Sequence, residues 1–353
     1  SSPHRARSSS GATASSAVAQ TATSDPHGIF TSPRTHPPEV RLPSPRGEPV
    51  HLLLLTAAHA ATLAVGPGRT YTTIGAAVTA ASSGDVITVD PGTYEERVTI
   101  DDKDLTLTAL GAVEWRYTDD SILRVYDATV AVLGFQFRPQ GGRAIRAEDS
   151  TLSVTSCDFR GNAVGGSRVY NGGAIAFYQA DGTIDRSTFA DNTATAGFFG
   201  GINGYGAHVI VLGGDVDILD STFLNGNAVQ GGALYLDDDA DVSIRTSTFQ
   251  GNRATDRGGA ILLAEGNLSV ADSTFLDNAA SRLGGVLRWN APSRGEGSVV
   301  FERNTITDAR ANDYGGFIAT NVAGSLTLLD NVVTDAVSSG AAGALSIVAT
   351  DRV

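Results

Sequence analysis

The chain has 353 residues, 41 of them glycine, with 18% charged and 7% aromatic side chains. That length can bury one or two ordinary cores without staples, and the single cysteine, Cys157, excludes an intrachain disulfide. Lys and Arg number 25 against 38 Asp and Glu, a net −13, which disfavours a nucleic-acid or anionic-membrane partner because phosphate binding needs a clustered basic surface.

Residues 1–49 are rich in Ser, Ala, Pro and Arg without apolar periodicity, the composition of a disordered or non-native leader. Residues 50–60 then read VHLLLLTAAHA, a short apolar core ending in Ala58-His59-Ala60, which has the form of a secretory signal and its cleavage site. The alternative is an apolar stretch packed on the first strand. On the signal reading the mature protein begins near Ala61 and reaches the extracellular space or outer cell surface. The longest nearly apolar run, Leu52 to Val65, is broken by His59 and two threonines, so no transmembrane segment is expected. Methionine is absent and Lys103 is the only lysine, so the sequence reads as an open-ended stretch of a longer chain.

Residues 61–353 are expected to form one domain. Thr73 to Ser82 carries Ile74, Ala77, Val78 and Ala81 on one helical face, and Ser83-Gly84 ends the helix. Asp85 to Ile100 alternates apolar and polar residues around Pro91-Gly92, and Leu105 to Leu110 alternates again, both as strands do. The segment RTYTTIGAAVTAASSGDVITVDPGTYEERVTI, residues 69–100, resembles the N-terminal cap and first coil of pectin-lyase-like right-handed parallel β-helix proteins.

An internal repeat runs over residues 150–348. Its anchors are Phe159, Phe189, Phe223, Phe249, Phe275, Ile306 and Val333, at steps of 26 to 34 residues. Five positions before each anchor stand Val154, Ile184, Ile218, Ile244, Val270, Phe301 and Leu328, and two before stand Cys157, Ser187, Ser221, Ser247, Ser273, Asn304 and Asn331. Period-2 alternation around the first column predicts a strand with one buried face, and places Cys157 in a packed stack. Asn162, Asn192, Asn252 and Asn278 lie three past their anchors, suited to hydrogen-bond neighbouring coils. Paired glycines then precede the next strand, as in Gly172-Gly-Ala-Ile175 and Gly231-Gly-Ala-Leu234. Coil two lacks this pattern, and coil three, Phe223-Leu-Asn-Gly-Asn227, reads as one residue longer. Such repeats cannot bury their apolar columns alone, so the fold expected is an all-β, right-handed parallel β-helix solenoid with a short N-terminal capping helix. The F-x-x-N and G-G-A-I pattern is similar to the repeats of polymorphic outer membrane proteins, a resemblance that implies a surface anchor or barrel beyond Val353.

A polysaccharide lyase or glycoside hydrolase would need convergent carboxylates, with calcium and a base in a lyase. The outward column four before the anchor offers Asp185, Arg245 and Glu302, two coils apart at each step, or about 10 Å. Asp237, Asp238, Asp239 and Asp241 are candidate ligands for Ca2+, although turns favour Asp for its own sake; no other cofactor is implied. Two long insertions fall at the same turn of adjacent coils and bring Tyr170, Phe198, Phe199 and Tyr205 together as a candidate ligand-binding surface, or as a cover for an exposed flank. The function expected is an exported or surface scaffold for adhesion or for glycan or protein contact, with a polysaccharide or cell-surface ligand as partner. A polysaccharide lyase or glycoside hydrolase acting on a polysaccharide, acidic or neutral, is the alternative.

Overall fold

Each repeat closes one turn of a parallel solenoid. A computed structural model describes residues 60–118, 121–139, 141–165, 172–195, 204–290, 297–322, 324–340 and 342–349. The leader at 1–49 and the signal segment up to residue 59 lie outside the described residues. A typical turn runs through Ile175–Tyr178, Asp181–Asp185, Thr188–Ala190 and Thr193–Ala194. Every strand pairs in parallel with its counterparts in the turns before and after, giving sheets of ten, nineteen and seven strands, with ten turns along the first.

The helix forms over Ile74–Ala80. Thr73 is its N-cap and accepts from Ala76 N, while the Glu96 carboxylate accepts from Ile74 N at 2.7 Å and Gly75 N at 2.9 Å. These bonds satisfy N–H groups that a helix start leaves open and dock the helix on the first turn. Ile74, Ala77, Val78 and Ala81, the predicted face, are all buried. The strand expected over Leu105 to Leu110 runs on to Arg116 through a register shift between Thr108 and Val113. Leu110 falls in that irregularity and is exposed, because the bulge breaks the alternation that would have turned it inward.

Inside, like residues stack on like. Val154, Ile184, Ile218, Ile244 and Val270 pair in successive registers, and all are fully buried. Phe137, Phe159, Phe189, Phe223, Phe249 and Phe275 form a stack with centroids 4.6–4.9 Å apart and planes within 10° of parallel. That spacing is the separation of hydrogen-bonded strands, so the backbone imposes the ring stacking. At one corner Cys157 N donates to Ser187 Oγ, Ser187 N to Ser221 Oγ, Ser221 N to Ser247 Oγ, and Ser247 N to Ser273 Oγ, at 3.1–3.2 Å. Asn304 and Asn331 continue the ladder with their amide oxygens.

The asparagine ladder occupies the next corner. Asn192, Asn252 and Asn278 donate from Nδ2 to the carbonyls of Phe159, Phe223 and Phe249. The structure departs from the sequence pattern at two turns. Asn227 pairs with Thr193 and Arg253, so coil three is in register with no extra residue, and Gly226 stands at the asparagine position. Coil two does carry the glycine turn in altered form, as Gly206-Ala207-His208-Val209, because Val209 pairs with Ile175.

These two departures compensate each other. A Cβ at Gly226 would strike Gly232 O and lie 2.7 Å from His208 Nε2, so no asparagine fits there. The His208 imidazole bridges the gap instead, with Nδ1 2.9 Å from Asn192 Nδ2 and Nε2 3.1 Å from Asn252 Oδ1. Asn162 donates to Asn192 Oδ1 through both N and Nδ2, which fixes that amide and leaves Nδ2 as the group facing the ring. Nδ1 must therefore accept and Nε2 must carry the hydrogen, a neutral tautomer assigned from the network.

Burial pushes the His208 pKa from 6.5 down to about 4, against the opposing bond to Asn252 and the charge of Asp191. Below pH 6.5 the unfolded chain gains a proton that the folded chain refuses. The stabilisation is complete above pH 6.5 and falls as the pH drops toward 4, by roughly 3 kcal/mol in full. Urea unfolding between pH 7.5 and 5 should therefore show a loss of stability that His208→Asn removes. Equal pH slopes for the two proteins would contradict the assignment.

Candidate functional site

Outward side chains of the ten-stranded sheet form two columns. The first runs Arg124, Arg146, Ala176, Ile210, Tyr235, Leu262 and Arg288, and the second runs Tyr126, Glu148, Tyr178, Leu212 and Asp237. The middle of this face is apolar. Ala176, Ile210, Leu212, Tyr235 and Leu262 are buried as a cluster separate from the solenoid interior. Tyr205 joins it half-buried, with its ring 4.3 Å from that of Tyr235.

The early end of the face is charged and aromatic. The Arg146 guanidinium lies 4.6 Å from the Tyr178 ring centre and bonds Glu148 Oε2 through Nη2 at 2.6 Å. The Arg143 guanidinium lies 5.9 Å from the same ring, held by a 2.8 Å bond from Nε to Gly172 O. Burial weakens the Arg146 cation, but Glu148 outweighs it, with Tyr178 and Tyr126 adding, so its pKa is raised. The guanidinium is thus positioned before any ligand arrives. A planar cation fixed over a ring can pair with carboxylates or sugar hydroxyls, while the ring offers a flat apolar face.

Sequence reasoning missed this cluster, as it missed His208. The signal was present: Arg124-Val-Tyr126, Arg146-Ala-Glu148 and Ala176-Phe-Tyr178 have the same alternation. The repeat's first anchor is Phe159, and the turns that carry Arg124 and Arg146 precede it without the F-x-x-N pattern.

The predicted catalytic residues do share one outward column, in the order Asp185, Leu219, Arg245, Ala271, Glu302. They stay apart. Asp185 pairs with Arg186 at 2.7 Å and Glu302 with Arg303, so each carboxylate is engaged by its chain neighbour, and Arg245 is exposed. Among the Asp candidates, Asp237 accepts from Tyr235 Oη at 2.9 Å, Asp238 and Asp239 take the positive φ of a tight turn, and Asp241 lies on the following strand. Partial burial raises the Asp238 pKa, with Asp237 and Asp239 adding to it. Among the described residues, no three His, Cys, Asp or Glu side chains come together in a way that could hold a metal ion. Tyr170, Phe198 and Phe199 lie outside the described residues.

Residues 173–348 match the family model described as "Right handed beta helix region", which agrees with the solenoid above. No curated protein matches the sequence. Solved structures that match include the pectin methylesterase from Aspergillus niger in deglycosylated form, at 15% identity over 84% of this chain and 92% of that one, with a TM-score of 0.38. The catalytic domain of a GH87 α-1,3-glucanase in complex with nigerose matches at 10% identity over 83% and 68%, with a TM-score of 0.28. The fold is a right-handed parallel β-helix. No helix among the described residues is long and apolar enough to cross a membrane.

Cys157 is buried at 2% exposure, with Sγ 3.4 Å from Thr155 O and 3.5 Å from Val132 O. Burial pushes its thiol up to about 12, so the thiolate is scarce at neutral pH. An aromatic disulfide reagent should label Cys157 only after unfolding in denaturant; prompt labelling of the native protein would contradict this placement.

Proposed function

We propose that this chain is an exported or cell-surface β-helix scaffold that contacts glycans, and that it does so without catalysing their cleavage. One observation carries the proposal: Arg146, Tyr178 and Glu148 form a fixed cation–ring platform on the outward face, with the buried Arg143 beside the ring, in a chain whose net charge is −13. Localised arginines against that acidic background favour an anionic or hydroxyl-rich ligand, and the ring suits the apolar face of a pyranose. The dispersal of Asp185, Arg245 and Glu302 along one column favours contact over cleavage, since glycoside hydrolysis needs two carboxylates flanking one bond. Export rests on the Ala58-His59-Ala60 pattern, and the surface location on the similarity of the repeats to those of polymorphic outer membrane proteins.

Affinity electrophoresis through gels containing polygalacturonate, with dextran as the uncharged control, tests the proposal. Retardation in polygalacturonate should fall several-fold in Arg146→Ala and in Tyr178→Ala, each compared below its own unfolding transition, because the Arg146–Glu148 pair is half-buried and Tyr178 packs against the apolar cluster. The same mixtures should release no unsaturated or reducing ends, with or without Ca2+. Release of unsaturated ends would identify a lyase and release of reducing ends without unsaturation a hydrolase, and either would overturn the proposal.

A further inference from the structure

Among the described residues, the far end of the same face holds a charge without a matching partner. Arg288 lies outward on the strand Leu287–Trp289, between the inward Leu287 and Trp289, and is only 7% exposed. Its one hydrogen bond among the described residues is from Nε to Asn290 Oδ1, at 2.8 Å. The nearby carboxylate is already committed: Asp256 accepts from Gln230 Nε2 at 3.1 Å and pairs with Arg257 at 3.3 Å and Arg282 at 3.2 Å. Asp313 pairs with Arg282 at 3.3 Å. Three arginines thus share two aspartates, a local excess of positive charge. Burial, with Arg257 adding to it and Asp256 opposing, brings the Arg288 pKa down from 12.5 to about 10.

A buried guanidinium that bonds only a neutral amide is costly, because its hydration has been given up without a counter-charge. Surface chemistry alone does not explain keeping it. Its surroundings do: Arg288 lines an open pocket of about 390 Å³ with Arg282, Asp313, Tyr314, Asn321 and Ser346. This exceeds the space one small inorganic anion needs and suits a ring bearing an acid group. Tyr314 is 45% exposed and gives an aromatic wall, while Asn321 and Ser346 give polar groups around it.

We propose that this pocket is a binding site for a small organic carboxylate, with the carboxylate bound by the Nη atoms of Arg288 and the body of the ligand lying beside Tyr314. A guanidinium presents two parallel N–H groups that match the two oxygens of a carboxylate. The register places Arg288 five turns beyond Arg146, roughly 24 Å at the strand spacing, so the site is separate from the Arg146 platform and does not rest on its role.

Calorimetric titration of the full chain with D-glucuronate, D-glucose and sodium sulfate at constant ionic strength tests the site, alongside the variants Arg288→Lys and Arg288→Met. Glucuronate should bind saturably, glucose should not, and sulfate should bind at least tenfold more weakly. Arg288→Lys keeps the charge without the fork and should weaken glucuronate binding about tenfold; Arg288→Met should abolish it. Without ligand, Arg288→Met should unfold at a temperature equal to or above that of the unchanged protein, since it removes an unmatched buried charge. Glucuronate affinity unaffected by either variant, glucose binding equal to glucuronate, or sulfate binding equal to it would overturn the proposal. A lowered unfolding temperature or failure to fold in Arg288→Met would do the same, by marking Arg288 as a structural group.

Discussion

Parallel strands hydrogen-bonded about 4.8 Å apart oblige each position of one turn to meet the same position of the next. The rest of this molecule follows from that constraint. A column tolerates only residues that can stack on themselves at that spacing: β-branched aliphatics at Val154, Ile184, Ile218, Ile244 and Val270, and phenyl rings from Phe137 to Phe275. Polar corners obey the same rule. A serine hydroxyl or asparagine amide can accept from one turn while it donates within its own or a neighbouring turn, so Ser187 and Asn192 extend their ladders without leaving buried groups unmatched. Where one ladder cannot hold its residue, at Gly226, His208 from the adjoining corner restores the connection.

Because these columns fill the interior and leave few buried polar atoms of the described residues without a partner, Asn162 Oδ1, Trp289 Nε1 and Thr320 Oγ1 among them, the outward face of the ten-stranded sheet is released from the repeat. It carries arginines, tyrosines and acids at its early end, a buried apolar middle, and Arg288 beyond it. Such an arrangement costs stability where it leaves a charge partly matched, as at Arg288, and that cost is what separates a binding feature from filler. The acids at Asp185 and Glu302 have no comparable setting, since each is paired by the arginine next to it in sequence.

Much of the fold was legible because the repeat writes each buried column into the sequence several times over. Ile184 alone says little; Ile184 in line with Val154, Ile218 and Ile244 fixes both the strand and its inward face. The helix was legible from Ile74, Ala77, Val78 and Ala81 for the same reason of period. What sequence reasoning missed is what occurs once. His208 replaces an alanine at a turn where only the three-dimensional gap beside Gly226 gives it meaning. Arg146, Tyr178 and Arg288 lie at outward positions, where the repeat imposes no rule, and the matching Arg124 and Tyr126 stand in a turn before its first anchor. Leu110 fits an alternating strand on paper, and the register shift before Val113 turns it out to solvent.

The central claim is that stability passes from turn to turn through the stacked columns, which hydrogen exchange followed by mass spectrometry measures directly. In the unchanged protein, amides between residues 204 and 290, whose turns are stacked on both sides, should be among the slowest to exchange. Phe223→Ala should accelerate exchange in the turns of Phe189 and Phe249 before more distant turns respond, since those rings lie 4.8 and 4.7 Å from Phe223. Acceleration spread evenly over every turn, or confined to the mutated one, would contradict the account.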